Sequence, residues 1–166
     1  AGEMRERVDQ IVGFGAEQVW VATFHATCVR ILRRYIDRLG YDNHFTIYDT
    51  DDTKSLLHEV CKVLNIDTKT TKERPLQTLI SAAKNALISP EDFLKQAAGD
   101  FDKEQCARVY AEYQKRLKAN NALDFDDIIF LSVELFKSHP EALEYYQRRF
   151  RYIMVDEYQD TNTAQF

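Results

Sequence analysis

Cysteine, proline and glycine are all scarce in this chain of 166 residues, which has three Cys, three Pro and five Gly. No low-complexity tract or internal repeat is present. Cys28, Cys61 and Cys106 lie far apart, are odd in number and include no CxxC pair. We therefore interpret them as buried thiols of a protein from a reducing compartment, rather than as a disulfide framework or a metal site.

Long apolar runs are also absent, since no stretch approaches the roughly 20 residues that span a bilayer. The first residues, "AGEMRERVDQ", are charged from the start and do not resemble a signal peptide. We expect a protein of the cytoplasm with no membrane contact. The net charge of -5 argues against general nucleic-acid binding, but a total charge says nothing about a local basic face.

Helical periodicity dominates the middle of the chain, and the length suits one domain. Gly40 is expected to stop one helix, and Ser89-Pro90 to open another as a cap followed by a first-turn proline. The predicted helices cover residues 3–12, 26–39, 49–64, 75–87, 90–97, 102–119, 124–137 and 140–149.

Two segments rich in β-forming residues stand near the ends, "QVWVATF" at 18–24 and "YIMV" at 152–155. A parallel sheet could unite them, but two strands alone make a poor sheet. The chain has no initiating Met, begins inside a helical pattern and ends within another predicted helix at Phe166. We therefore expect a piece of a longer protein whose remaining strands lie elsewhere.

The acidic pair Asp156-Glu157 directly follows the second of these segments. Open α/β folds bind ligands at the carboxyl ends of their strands, where an Asp can hold Mg²⁺ and a Glu can activate water. The nearby polar residues Gln159 and Asp160 favour such a site. The alternative is a solvated strand end followed by a helix cap.

A nucleotide site also needs a loop whose backbone N–H groups hold the phosphates. The sequence contains no GxxxxGK[ST] pattern, and none of its glycines is followed by Lys. Taken with the acidic pair, these 166 residues hold half of a nucleotide site.

A second candidate site begins where the first segment ends, at Thr23, Phe24 and His25. A hydroxyl and exposed helix N–H groups suit a phosphate, and Phe or His can stack on a base. The outer face of the following helix carries four arginines, of which Arg30 and Arg34 are the predicted phosphate contacts. Alternatively, Phe24 belongs to the core, His25 caps the helix, and the arginines form a solvated face partly paired with Asp37.

Other aromatic and acidic motifs have a structural interpretation. The stretch "LDFDD" at 123–127 predicts a capped helix start, with carboxylates favoured by the helix dipole, rather than a metal site. The remaining candidates are interpreted as helix-packing aromatics: Tyr110, Tyr113, Tyr145 and Tyr146.

Taken together, these motifs resemble the superfamily 1 DNA helicases of the UvrD, Rep and PcrA type, and the PcrA branch in particular. "VDEYQDTN" is similar to that family's Walker B motif in its DExQD form, and "TFHATCVRILRR" to its TFH segment. "GEMRERV" and "LDFDD" match further segments, in the same order, so the resemblance covers essentially the whole chain.

The resemblance implies a mostly α-helical fold in which a helical 1B-type subdomain is inserted in a truncated α/β RecA-like (P-loop NTPase) domain. Residues 25–149 would form the insertion. Residues 1–24 and 150–166 would be stubs of the RecA-like domain, with about two strands remaining.

The resemblance also implies a bacterial, cytoplasmic, ATP-dependent helicase that moves 3′ to 5′ on single-stranded DNA and acts at single-strand/duplex junctions, in repair or replication. ATP and Mg²⁺ would be its cofactors, and this fragment alone would be inactive. The implied roles are Mg²⁺-ATP coordination for Asp156, activation of water for Glu157, coupling of nucleotide to DNA for Gln159 and Asp160, and DNA contact for Thr23, Phe24 and His25.

Two other functions are compatible with the same residues. A nuclease-helicase subunit of a recombination complex shares the DExQD strand and would carry a nuclease domain elsewhere. A helical DNA- or protein-binding module without catalysis would lack a phosphate loop in its parent protein.

Overall fold

The computed structural model describes residues 2–66 and 73–166, with no description of the Glu73 side chain. Most of this part of the chain is helical. The α-helices in it are α1 (Gly2–Val12), α2 (Phe24–Tyr35), α3 (Thr50–Val63), α4 (Glu73–Asn85), α5 (Pro90–Ala97), α6 (Phe101–Ala119), α7 (Phe125–Ser138) and α8 (Pro140–Arg149). Short 3-10 helices span Ala16–Gln18, Ile36–Leu39 and Tyr158–Asp160, and the strands are β1 (Thr46–Ile47) and β2 (Ala122–Leu123).

Local capping chemistry places the helix ends where the sequence predicts them. The Ser89 hydroxyl accepts a hydrogen bond from the Asp92 backbone N–H, with Pro90 in the first turn of α5. Gly40 ends the helical region that begins with α2, at a φ of 78° that favours glycine. Asp124 caps α7 in a reciprocal capping box with Asp127, as the "LDFDD" motif predicts.

The two predicted strands were the main error. In place of a strand over 18–24, a 3-10 helix ends at Gln18, residues 19–23 have no regular structure, and Phe24 already begins α2. Residues 152–155 are also irregular, and the side chains of Tyr152 and Met154 are 92% and 95% exposed. A strand forms only where another strand supplies hydrogen-bond partners, and neither segment finds one within the described ranges.

A different pair of segments forms the parallel sheet of the described residues. Thr46 is in register with Ala122, and Ile47 with Leu123. The Tyr48 backbone N–H donates to the Leu123 carbonyl at 2.8 Å. The last residue of β2, Leu123, directly precedes Asp124, the N-cap of α7, so the sheet helps to fix where α7 begins.

Two apolar clusters form the core, and β2 connects them. The first lies among α3, α4 and α6 and includes Ala122, whereas the second lies among α2, α7 and α8 and includes Leu123. Successive strand residues point to opposite faces, so adjacent positions can enter different clusters. Each fully buried Leu or Ile in these clusters contributes about 1.5–3 kcal/mol of transfer free energy.

The predicted packing aromatics are confirmed for three of the four tyrosines, with Tyr145 half-buried, whereas only one of the three predicted buried thiols is buried. Tyr110, Tyr113 and Tyr146 are buried. Cys61 is also buried, whereas Cys28 and Cys106 are half-buried. The turn at 163–165 replaces the helix expected near the C-terminus. Across residues 2–66 and 73–166, no helix combines the length and apolarity needed to cross a membrane.

Candidate functional site

The acidic pair lies on a tight, exposed turn. Glu157 has a left-handed backbone, with φ 50° and ψ 43°, and begins the 3-10 helix Tyr158–Asp160. The Glu157 backbone N–H donates to Oδ1 of Asp156 at 3.1 Å. The Gln159 side-chain amide donates to the carboxylate of Glu157. A non-glycine residue at this φ is uncommon, and such strain is often found at functional sites. The turn thus presents both carboxylates to solvent.

These carboxylates have the chemistry that Mg²⁺ prefers. Magnesium is usually bound through one or two carboxylates, with waters and substrate phosphates completing an octahedron. Asp156 and Glu157 are both exposed and provide such oxygens, so the residues present fit a Mg²⁺-nucleotide. In the part of the chain that the structure describes, no cluster of three or more His, Cys, Asp or Glu side chains could hold a metal ion.

The segment that follows the acidic pair is docked on α4 through Asn85. The Asn162 side-chain amide donates to the Asn85 side-chain oxygen, and the Ala164 backbone N–H donates to the Asn85 carbonyl at 3.2 Å. Ala164 is itself buried. The turn carrying the carboxylates is therefore tied to the helical body.

At the second predicted site, the Thr23 hydroxyl caps α2 by accepting a hydrogen bond from the Ala26 backbone N–H at 3.2 Å. The alternative that His25 is the cap is thus wrong, and Phe24 is half-buried rather than part of the core. The His25 ring stacks on Phe125, with ring centroids 3.7 Å apart and planes 19° from parallel. Burial lowers the pKa of His25, and the nearby Asp126 carboxylate partly opposes this.

The first turn of α7 links the two predicted sites. Phe125 remains 60% exposed although it contacts His25. The next residue, Asp126, accepts a hydrogen bond from the Asn85 side chain at 3.1 Å. Asn85 in turn holds Asn162, so contacts run from His25 through α7 and α4 to the segment after the acidic pair.

A buried charge cluster lies beneath that turn, and sequence reasoning missed it. Lys84 is 1% exposed, and its Nζ lies 2.6 Å from Oδ2 of Asp124 and 2.8 Å from Oδ1 of Asp127. Tyr113 and Gln114 donate further hydrogen bonds to these two carboxylates, at 3.0 and 2.9 Å. The available signal was the spacing, because Lys84 follows the buried Ile80 by four residues on the inward face of α4.

Burial governs the protonation of this cluster. Two carboxylates face one ammonium group away from water, which leaves an excess negative charge. Burial and the adjacent Asp124 raise the pKa of Asp127 to about 6, although Lys84 opposes the shift.

The arginines of α2 differ in their contacts. The Arg30 guanidinium lies over the Trp20 ring at 4.7 Å, and Arg149 lies over the same ring at 5.4 Å. These residues line a cavity of about 430 Å³. Arg34 donates to the Tyr145 hydroxyl at 2.7 Å, so the two predicted phosphate contacts have different surroundings.

The other arginines of this face have partners within the helical body. Arg33 donates to the Asn43 carbonyl at 2.7 Å, and Arg38 forms an ion pair with Glu141. The alternative interpretation placed Asp37 as a partner of this face, but Arg38 instead pairs with Glu141 of α8.

Comparison with known proteins gives a consistent result along the entire chain. The profile described as "UvrD/REP helicase N-terminal domain" matches residues 1–166. The chain is 51% identical over 166 residues to ATP-dependent DNA helicase PcrA of Bacillus subtilis (strain 168). This alignment covers 100% of this chain and 22% of that protein. Against the PcrA helicases of Staphylococcus epidermidis (strain ATCC 12228 / FDA PCI 1200) and Staphylococcus aureus (strain NCTC 8325 / PS 47) the identity is also 51%, over 100% of this chain and 23% of each relative. The chain thus spans less than a quarter of the length of these relatives.

Proposed function

The chain belongs to the UvrD/REP helicase family, and on that premise we propose that it supplies the Walker B acidic pair and part of the DNA path of an ATP-dependent 3′–5′ DNA helicase acting in repair or replication. The observation that carries the proposal is the 51% identity to PcrA over the full 166 residues, which includes both motif regions. The exposed Asp156-Glu157 turn supports it, because a catalytic carboxylate must be reachable by the nucleotide.

In the longer parent protein, Asp156 would hold Mg²⁺-ATP and Glu157 would accept a proton from the attacking water. The bound cation would neutralise charge that develops on the phosphates. Gln159 and Asp160 would couple the nucleotide state to DNA. The hydrogen bond from Gln159 to Glu157 supports this role, because it already connects the two side chains.

Thr23, Phe24 and His25 would contact single-stranded DNA near a duplex junction. The exposed stack of His25 on Phe125 offers an aromatic surface on which a base could pack. Arg30 would contact a backbone phosphate, and Arg34 would do so while bonded to Tyr145. Such contacts would be salt-dependent, because phosphate binding releases counterions.

Residues 25–149 would form the helical insertion, and residues 1–24 and 150–166 would belong to the RecA-like domain. The two apolar clusters support this division, because they are built almost entirely from residues between Ile31 and Tyr146. Alone, this chain would neither bind ATP tightly nor hydrolyse it, since its 166 residues include no GxxxxGK[ST] loop.

Strand-displacement assays of the parent protein test the proposal. Duplexes with a 3′ or a 5′ single-stranded tail are mixed with the parent and Mg²⁺-ATP, and the products are separated on native and denaturing gels. The proposed helicase separates the 3′-tailed duplex only when ATP is present and leaves both strands at full length. Shortened strands would indicate a helicase-nuclease subunit, and no ATP-dependent separation would indicate a binding module.

A further inference from the structure

Lys84 is the most deeply buried cation among the described residues, and both of its partners belong to the first turn of α7. Its Nζ lies 2.6 Å from Asp124 and 2.8 Å from Asp127. Asp124 is the N-cap of α7 and Asp127 is the third helical residue. Lys84 therefore joins α4 to both ends of a single helical turn.

Each of the two carboxylates divides its oxygens between the helix cap and Lys84. Oδ1 of Asp124 accepts from the Asp127 backbone N–H at 2.8 Å, while its Oδ2 faces Lys84. Oδ2 of Asp127 accepts from the Asp124 backbone N–H at 3.2 Å, while its Oδ1 faces Lys84. The cap shapes the turn, and the lysine fixes its position relative to α4.

Two residues lie between these carboxylates, of which Phe125 contacts the second predicted site and Asp126 places its charge near it. Phe125 stacks on His25, and Asp126 accepts a hydrogen bond from Asn85, the residue after Lys84. Any displacement of the α7 start would move the Phe125 ring relative to the His25 ring.

Stability alone is a weak reason for such a cluster. Replacing a buried ion pair by apolar residues of similar size is often neutral or stabilising, because desolvation offsets the Coulomb attraction. Lysine also loses more side-chain entropy on burial than leucine does. A role in fixing the position of α7 therefore explains this buried cluster better than a contribution to stability does.

We propose that Lys84 is a positioning residue that, by binding Asp124 and Asp127 together, fixes the start of α7 and holds Phe125 against His25. The ion pairs of Lys84 and the stack of Phe125 on His25 are the contacts that support this role. Its consequence for DNA rests on the proposed function, in which His25 contacts single-stranded DNA.

The test is a variant that removes the link but keeps α7 capped and charge-balanced. Lys84→Met alone would leave two unpaired buried carboxylates, so it is combined with Asp124→Asn and Asp127→Asn. Asparagine remains a good N-cap. Lys95→Met is the matched control, since Lys95 is an exposed lysine with an aspartate partner on its own helix.

NMR titration of His25 in this chain measures the geometry without DNA. In the triple variant the pKa of His25 is expected to rise toward its ordinary value, because a displaced Phe125 no longer shields the ring from water. The nuclear Overhauser contacts between the two rings should weaken. A folded triple variant with the same His25 pKa and ring contacts as the wild type would overturn the proposal.

If the triple variant does not fold, Asp127→Asn replaces it. That single change removes one of the two links and leaves Lys84 balanced by Asp124. A smaller shift of the His25 pKa in the same direction is expected, and an unchanged pKa overturns the proposal.

Binding of an oligothymidylate to the parent protein, followed by fluorescence anisotropy, separates the two proposals. Loss of an ordered stacking surface should weaken binding about tenfold, within the range for one base–aromatic stack. A raised His25 pKa with unchanged DNA affinity supports the role of Lys84 and overturns the role of His25 in DNA binding.

Discussion

The side-chain amide of Asn162 donates a hydrogen bond to the side-chain oxygen of Asn85, 77 residues earlier in the sequence. Asn162 follows the acidic pair by a few residues, and Asn85 ends α4. Asn85 also donates to Asp126, beside the His25–Phe125 stack. The contact therefore joins the segment of the proposed ATP site to the elements of the proposed DNA site.

Removing that donor should loosen the end of the chain. Asn162→Asp keeps the oxygen that accepts from the Gln165 backbone N–H but places a carboxylate against the Asn85 oxygen. The loss of one hydrogen bond costs about 1 kcal/mol, or roughly a fivefold change in a local opening equilibrium. Hydrogen exchange at the Ala164 amide, which is bonded to Asn85, should accelerate by about that factor. Thr163→Asp adds the same charge at an exposed neighbour, and equal exchange rates in the two variants would contradict the account.

The Lys84 cluster should make stability depend on pH. Asp127 binds a proton more tightly in the folded chain, where its pKa is about 6, than in the unfolded chain, where it is 3.8. Its contribution to the free energy of unfolding is therefore fully present below pH 3.8, falls as the pH rises from there, and is lost once the pH has passed about 6. Between pH 5 and 7 the loss is about 1 kcal/mol.

Urea unfolding at pH 5 and pH 7 measures this effect. Asp127→Asn should remove most of the difference between the two pH values. Asp92→Asn is the comparison, because hydrogen bonds from Lys95 and Ser89 lower the pKa of Asp92, whose contribution is lost only as the pH falls below this window. An equal loss of pH dependence in both variants would show that Asp127 is not the titrating group.

The position of Arg30 leads to a prediction about the salt dependence of DNA binding. Arg30→Ala in the parent should lower the slope of log affinity against log salt by about 0.7, the value for one phosphate on a single strand. Arg148→Ala is the control, since Arg148 is an exposed arginine paired with Glu144 one turn away. In the isolated chain, where Trp20 is the single tryptophan and contacts the Arg30 guanidinium, a change in tryptophan fluorescence should report a phosphate bound at Arg30. Equal slopes for the two variants would mean that Arg30 makes no phosphate contact.

Local signals predicted the helices well, and non-local pairing explains the errors. Ser89, Asp124 and Gly40 mark helix ends through hydrogen bonds or backbone angles within a few residues. Residues 18–24 and 152–155 have strand-like composition, but no local pattern states whether a partner strand lies beside them. For the same reason β1 and β2, two residues each and far apart in sequence, carried no detectable signal.

The same difference between local signals and non-local contacts decides which parts of the candidate site could be predicted. The residues Asp156 and Glu157 were recognisable because their motif is contiguous in sequence. The spacing of Lys84 from Ile80 indicated an inward position, but local sequence gave no sign of the partners that make its burial possible, which lie 40 residues away at Asp124 and beyond. The stack of His25 on Phe125 likewise depends on how α2 packs against α7.

The isolated chain should show no micromolar binding of Mg²⁺-ATP. Asp156 and Glu157 are exposed carboxylates, and a carboxylate-bound Mg²⁺ takes further ligands from phosphates that must themselves be held. Isothermal calorimetry at micromolar protein concentration measures this directly. A saturable micromolar isotherm would mean that the nucleotide site has been misplaced.

Steady-state ATP hydrolysis by the parent protein carrying Glu157→Gln tests the central proposal most directly. Glutamine keeps the shape of the side chain and can accept hydrogen bonds, but it cannot take a proton from water. Turnover should fall by about 10²–10⁴-fold, while the dissociation constants for ATP and single-stranded DNA stay within a few-fold of the wild type. Turnover within a factor of about two of the wild type would contradict the role assigned to Glu157 and to the acidic turn.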